Sequence, residues 1–83
     1  MLEIYLAERC PFCVKVRLFM EQNGVPYILK PVILGQSSSK VKEELKAIGG
    51  KVQVPFLVDP DKGIQMYESD DIIAYIDENY VQS

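Results

Sequence analysis

The first 33 residues alternate between two strand-like runs and one helix-like run. The apolar and β-forming residues from Leu2 to Leu6 predict a first strand. Pro11 to Asn23 carries apolar residues on two stripes at helical spacing, which predicts a helix that is covered on much of its surface. Val25 to Ile33 predicts a second strand, whose prolines suit a sheet edge or a strand end. A strand, helix and strand of these lengths predict a right-handed parallel crossover.

The second half of the chain predicts one more helix, a hairpin and a last helix. Val41, Leu45 and Ile48 recur at the spacing of a one-sided surface helix, which a serine between residues 37 and 39 would cap and Gly49-Gly50 would end. Residues 51–59 lead into a third strand, residues 59–63 form a turn, and residues 64–67 form a fourth strand paired with the third.

The last helix is expected to open at residues 68–71, with Ser69 as its N-cap. Its predicted buried stripe consists of Ile72, Ile73, Ile76 and Tyr80. The order of elements is therefore β-α-β-α-β-β-α, an α/β fold with a four-stranded mixed sheet and helices on both faces.

Both cysteines of the chain, Cys10 and Cys13, lie where the first strand hands over to the first helix. Unpaired backbone N–H groups and the positive end of the helix dipole favour a thiolate at Cys10. Pro11 suits the first helical position, where its missing N–H costs nothing. Cys13 lies one turn further in. We therefore expect Cys10 to attack a disulfide and Cys13 to resolve the mixed disulfide.

Two other interpretations of the cysteine pair remain. In the first, the cysteines are inert apolar residues on a helix face. In the second, they are part of a metal site. The chain has no histidine and only two cysteines, so it does not supply the usual four zinc ligands by itself. A pair with this spacing near a β-α-β pattern is typical of thioredoxin-like redox proteins.

Length and charge limit the function classes. The 83 residues predict a single domain spanning residues 1–83. The net charge is −3 and no basic cluster occurs, which argues against nucleic acid and against an anionic membrane surface as partners. No basic leader precedes the first strand, so we expect a cytoplasmic protein, in which a cysteine pair is more often catalytic than structural.

Three motifs together give the chain a family resemblance. Cys10-Pro11-Phe12-Cys13, Val54-Pro55 before the third strand, and Glu68-Ser69-Asp70 before the last helix resemble a glutaredoxin, especially the branch close to the N-terminal domain of glutathione transferases. The resemblance covers essentially the whole chain. It implies a thioredoxin fold, a cis bond before Pro55, and a monomeric enzyme of cell redox homeostasis and electron transport that acts on disulfide or glutathionylated proteins.

The resemblance also implies glutathione as the co-substrate, with no metal. Catalysis would rest on Cys10 and Cys13. The residues expected to contact glutathione are Arg9, Phe12, Val54, Pro55, Glu68, Ser69 and Asp70. The backbone of Val54 would pair with the tripeptide as an added strand does. The start of the last helix would hold the carboxylate of the γ-glutamyl end, and an acid beside it would meet the ammonium.

The sequence departs from the family at two positions. The basic residue that many glutaredoxins have three places before the first cysteine is Ala7 here, and Arg9 is the nearest cation. Phe12 lies between the cysteines, where many glutaredoxins have a tyrosine. Two rival functions use the same cysteines: an electron donor recycled by another reductant, and an iron–sulfur carrier in which two chains and two glutathiones share one cluster. A full transferase would need a second, helical domain, for which these residues leave no room.

Overall fold

The computed structural model describes residues 1–33 and 40–82. These residues build a four-stranded sheet, three α-helices and one π-helical segment in the predicted order. The strands are β1 (Leu2–Leu6), β2 (Tyr27–Pro31), β3 (Phe56–Asp59) and β4 (Ile64–Tyr67). The α-helices are α1 (Pro11–Gln22), α2 (Lys40–Gly49) and α3 (Ser69–Ile76), and the π-helical segment Asp77–Val81 continues α3. The predicted fold class is confirmed.

The sheet has the strand order β2-β1-β3-β4. β1 runs parallel to β2, with Leu2 opposite Tyr27, and antiparallel to β3, with Ile4 opposite Leu57. β4 forms an antiparallel hairpin with β3. The predicted parallel pairing of β1 and β2, with α1 between them in the chain, is confirmed. β2 lies at an edge, where Pro31, which cannot donate a ladder hydrogen bond, is tolerated.

Two hydrophobic cores lie on opposite faces of this sheet. Because side chains alternate along a strand, Ile4 and Leu57 enter the core under α1 and α3, whereas their neighbours Tyr5 and Phe56 enter the core under α2. Leu45 is the buried side chain of α2. The helices therefore cover both faces of the sheet, with α1 and α3 on one face and α2 alone on the other.

The helix α1 is buried along a single stripe. Cys13, Val16 and Met20 face the core, but Leu18 is exposed. The prediction of a helix covered on much of its surface is therefore wrong, because α1 packs against the core on one side and presents its other side to solvent.

The predictions for the last helix need two corrections. Ser69 is not the N-cap but the first helical residue, and Glu68 occupies the cap position without a side-chain hydrogen bond. Ile72 and Ile76 are buried as predicted, but Tyr80 is 39% exposed. It leaves the stripe because the π-helical turns change the angle per residue after Ile76.

The predicted serine cap of α2 falls at residues 37–39, outside the described residues. Within the described residues, no helix has both the length and the apolar composition that crossing a membrane requires.

Candidate functional site

Cys10 occupies the N-cap position of α1. Its backbone is extended, with φ −81° and ψ 120°, and no side chain caps the helix there. The Cys10 carbonyl accepts a hydrogen bond from the Val14 N–H at 2.9 Å, and Pro11 opens the helix. The side chain of Cys10 is half-buried, so its sulfur lies beside the start of the helix and remains reachable from solvent. This is the position predicted for an attacking thiolate.

Cys13 lies one turn inside α1 and is only 1% exposed. The Ala7 N–H donates a hydrogen bond to the Cys13 sulfur at 3.4 Å. Burial, together with a hydrogen bond to the Cys10 thiol, raises the pKa of Cys13 to about 11. The two cysteines therefore differ sharply: one is accessible at the helix end, and the other is a protonated thiol held against the core.

A cavity of about 360 Å³ opens at Phe12, which lies between Cys10 and Cys13 in the sequence; neither cysteine lines the cavity. Phe12, which is 62% exposed, forms one wall, and Val54 and Pro55 form another. The Val54–Pro55 bond is cis, as the resemblance implied. Val54 and Cys10 both pack against the core under α1 and α3, so the loop before β3 and the cysteine corner share that core.

The start of α3 closes the cavity with two acids and a serine. Glu68 has φ +74°, a left-handed conformation that residues other than glycine seldom adopt. Its carboxylate accepts a hydrogen bond from Gln53 at 3.5 Å. Ser69 is buried, whereas Asp70 is exposed and pairs with Lys15 of α1. Backbone strain of this kind clusters at ligand sites.

Arg9 stands apart from the other predicted residues. It lines a larger cavity of about 520 Å³, on the side of the cysteine loop that faces β2. Arg17 lines the same cavity, together with apolar residues of β1 and β2. The structure thus brings together six of the seven residues expected to contact glutathione, and it separates Arg9 from them.

Sequence reasoning missed two members of the site. Gln53 lines the smaller cavity, and no motif distinguished it from the rest of the loop before β3. Lys15, which belongs to none of the three motifs, pairs with Asp70 across the two helices. Such a pair between residues 55 positions apart leaves no local signal. Among residues 1–33 and 40–82, no three acidic, cysteine or histidine side chains lie close enough together to hold a metal ion.

Solved structures similar to this chain include transferases and one glutaredoxin. Human glutathione S-transferase T1-1 matches with 30% identity and a TM-score of 0.77, covering 96% of this chain and 32% of that one. Human glutathione transferase theta-2, solved with glutathione, matches with 29% identity and a TM-score of 0.77, covering 100% and 33%. Glutaredoxin 2 from Salmonella typhimurium, solved with glutathione, matches with 28% identity and a TM-score of 0.73, covering 93% and 33%.

The sequence comparisons agree with these structures. A glutathione S-transferase-like protein of Aspergillus terreus, gedE, is 34% identical over 67 residues, which are 80% of this chain and 28% of that protein. The chain thus spans about a third of the length of the relatives it matches. The family model described as glutathione S-transferase, N-terminal domain, matches residues 4–83. The thioredoxin-like fold and these matches together show that the chain belongs to the family of glutathione S-transferase N-terminal domains.

Proposed function

We propose that this chain is a glutathione-dependent thiol–disulfide oxidoreductase of the glutaredoxin type. The observation that carries this proposal is the contrast between its cysteines: Cys10 occupies the N-cap position of α1 within reach of solvent, and Cys13 is buried one turn behind it with a raised pKa. A transferase that only activates glutathione has no need of a second, buried thiol at this position. A dithiol that opens and closes needs both.

The first half of the cycle reduces a protein disulfide. The Cys10 thiolate attacks one sulfur of the substrate disulfide, forming a mixed disulfide and releasing the other sulfur as a thiolate. Cys13 then loses its proton to solvent and attacks the Cys10 sulfur. The second substrate sulfur leaves as a thiolate, so the substrate gains two electrons and the enzyme holds a Cys10–Cys13 disulfide.

The second half of the cycle consumes two glutathiones. The first glutathione thiolate attacks the Cys10 sulfur, which releases Cys13 and leaves glutathione bound to Cys10. The second attacks the sulfur of that bound glutathione, so that oxidised glutathione departs and the Cys10 thiolate returns. When the substrate is itself a glutathione mixed disulfide, only Cys10 and one further glutathione are required.

The smaller cavity is the proposed glutathione site. Val54 lies two residues before β3, outside the ladder, where its backbone would pair with the tripeptide as an added strand. The buried Ser69 and the first turn of α3 would receive the carboxylate of the γ-glutamyl end. Glu68 and Asp70 would meet its ammonium. Two structural relatives were solved with glutathione, which supports this assignment.

The test is a titration of the reduced protein with glutathione, followed by NMR, together with mass spectrometry after exposure to oxidised glutathione. We expect shifts at Val54, Ser69 and Asp70, and a glutathione adduct on Cys10 in a Cys13→Ser variant. If neither appears while the protein still reduces a test disulfide, the electron donor with another reductant replaces this proposal. Visible absorption after anaerobic cluster reconstitution would instead favour the iron–sulfur carrier.

A Cys13→Ser variant separates the two half-reactions. Removing the resolving thiol should leave reduction of a glutathionylated peptide within about threefold of wild type and should lower dithiol reduction of a protein disulfide at least about 100-fold, because the mixed disulfide then has no internal nucleophile. The two activities are measured with the same glutathione concentration. Retained dithiol reduction would show that Cys13 does not resolve the intermediate.

Conjugation of glutathione to an electrophile is the second candidate, and the family match favours it. In that reaction the bound glutathione thiolate attacks a small electrophile and a halide leaves, with no change in the oxidation state of either cysteine. The discriminating assay compares the Cys13→Ser variant and wild type with a chlorinated nitroarene. Conjugation that is unaffected by the substitution, with no disulfide reduction in wild type, would favour the transferase.

A further inference from the structure

We propose that the Lys15–Asp70 ion pair is a clamp for the zwitterionic α-amino acid head of the ligand, with Lys15 as a specificity-determining residue. The inference deepens the proposed function and rests on it, because it assumes that the γ-glutamyl end lies at the start of α3. Asp70 of α3 lines the smaller cavity, and Lys15 of α1 pairs with Asp70 without lining the cavity itself. We call Glu68, Asp70 and Lys15 together the rim of this cavity.

The pair keeps unused hydrogen-bonding capacity of both kinds. Lys15 Nζ has three N–H groups, and among the described residues its hydrogen-bond partner is Asp70 Oδ1. Asp70 Oδ2 accepts no hydrogen bond among those same residues. An incoming ammonium would bind Oδ2 without displacing Lys15, and an incoming carboxylate would accept from the remaining N–H groups of Lys15. A ring of four alternating charges results.

The charge of the rim determines which head group it prefers. Glu68 and Asp70 line the cavity, so the two acids alone would favour a ligand end that carries only an ammonium. Lys15 adds one positive charge beside Asp70. The rim with Lys15 therefore favours a head that carries an ammonium and a carboxylate together, as the γ-glutamyl group does.

The solvent exposure of Lys15 and Asp70 limits the free energy of their ion pair, and it also lets a ligand reach both groups. The side chains of Lys15 and Asp70 are 54% and 80% exposed, so the pair by itself contributes little to stability. The same exposure leaves both groups accessible to a ligand. A bound tripeptide would shield the four charges from water, which strengthens their attraction.

The experiment measures binding to the reduced protein by isothermal titration calorimetry, with ligands that lack a free thiol. The probes are S-methylglutathione, its analogue without the α-carboxylate (4-aminobutyryl in place of γ-glutamyl), and its analogue without the α-ammonium (glutaryl). Because the probes do not exchange with the cysteines, the readout is affinity and not activity. The variants are Lys15→Met and Asp70→Asn. The matched controls are Lys46→Met, an exposed lysine of α2, and Asp71→Asn, an exposed neighbour in α3.

Lys15→Met should weaken S-methylglutathione and the glutaryl analogue by about fivefold, the order expected for a partly shielded charged hydrogen bond, and should leave the 4-aminobutyryl analogue unchanged or tighter. Asp70→Asn should weaken S-methylglutathione and the 4-aminobutyryl analogue and spare the glutaryl one. Neither control should discriminate among the probes.

Three results would overturn the inference. Tighter binding of S-methylglutathione to Lys15→Met would show that Lys15 competes with the ligand's ammonium for the Asp70 carboxylate. Equal loss of affinity for all three probes in Lys15→Met would show that the role of Lys15 is structural. Unchanged affinity for all three would show that Lys15 takes no part in binding. If wild type binds none of the probes, the proposed glutathione site itself fails, which is a distinct outcome from these three.

Discussion

Burial gives the two cysteines different chemistry, although only two residues separate them. Cys10 stands at the helix end, and Cys13 faces the core beside the Ala7 N–H. The pKa of Cys13 rises to about 11 because the charged form would lose its hydration. A free cysteine has a pKa of about 8.5, so the folded state holds a proton that the unfolded state loses in alkaline solution.

This difference predicts a stability that falls with pH. The contribution of Cys13 is complete below the pKa of the unfolded thiol and is lost as the pH rises through the folded value. Urea unfolding at about pH 8 and about pH 10 should therefore show a decline in wild type that is smaller in Cys13→Ala. Cys10→Ala, which keeps the buried thiol, is the control and should retain the decline. Equal slopes in all three proteins would contradict the assignment.

At the scale of elements, a buried carboxylate ties the π-helical segment to the end of β3. Asp59 is fully buried and its Oδ2 accepts hydrogen bonds from Tyr75 at 2.7 Å and from Tyr80 at 2.5 Å. Burial alone would raise the pKa of Asp59, but these two hydrogen bonds, together with backbone hydrogen bonds from Asp61 and Lys62, outweigh it and lower the pKa below its usual value. The Lys62 ammonium also lies 5.4 Å from the centre of the Tyr80 ring.

Removing one hydroxyl should loosen this segment. Tyr80→Phe should lower the free energy of unfolding by about 1.5–3 kcal/mol, because it deletes a hydrogen bond to a buried charge. Amide exchange should accelerate most in Asp77–Val81. Tyr27→Phe is the matched control, since within the described residues no hydrogen bond of its hydroxyl is found. A Tyr80→Phe protein with unchanged exchange in this segment would argue against the tie.

On the scale of the whole molecule, the two cores are joined by one thin sheet. Neighbouring residues of β1 and β3 enter opposite cores, so each strand belongs to both. Leu45 lies in the core under α2, and Ile72 lies in the core under α1 and α3. Both side chains are fully buried. Truncating a buried side chain in either core should therefore destabilise the same strands.

We expect Leu45→Ala and Ile72→Ala each to lower the free energy of unfolding by about 2–5 kcal/mol, the range for a buried aliphatic truncation. Each variant should still unfold in one transition. Far-UV circular dichroism and tyrosine fluorescence report the transition, the latter because the chain has no tryptophan. Transitions that separate in Leu45→Ala would show that α2 unfolds independently of the sheet.

Local chemistry made much of this protein predictable. The alternation of strand and helix patterns determined the order of elements, and β4 has the predicted bounds. The position of Cys10 at the start of α1 followed from Pro11 and from the apolar run before it. These features depend on residues within a few positions of one another, where propensity and periodicity act directly.

Only the tertiary structure decided which distant groups meet. It placed Gln53 in the cavity, paired Lys15 with Asp70, and turned Arg9 toward the larger cavity. It also made Ser69 the first helical residue and left Tyr80 partly exposed. Each outcome depends on how α1 and α3 lie against the same face of the sheet or on where the helical geometry changes. The spacing of residues along the chain carries no information about such contacts, because they form between segments whose relative placement is set by packing.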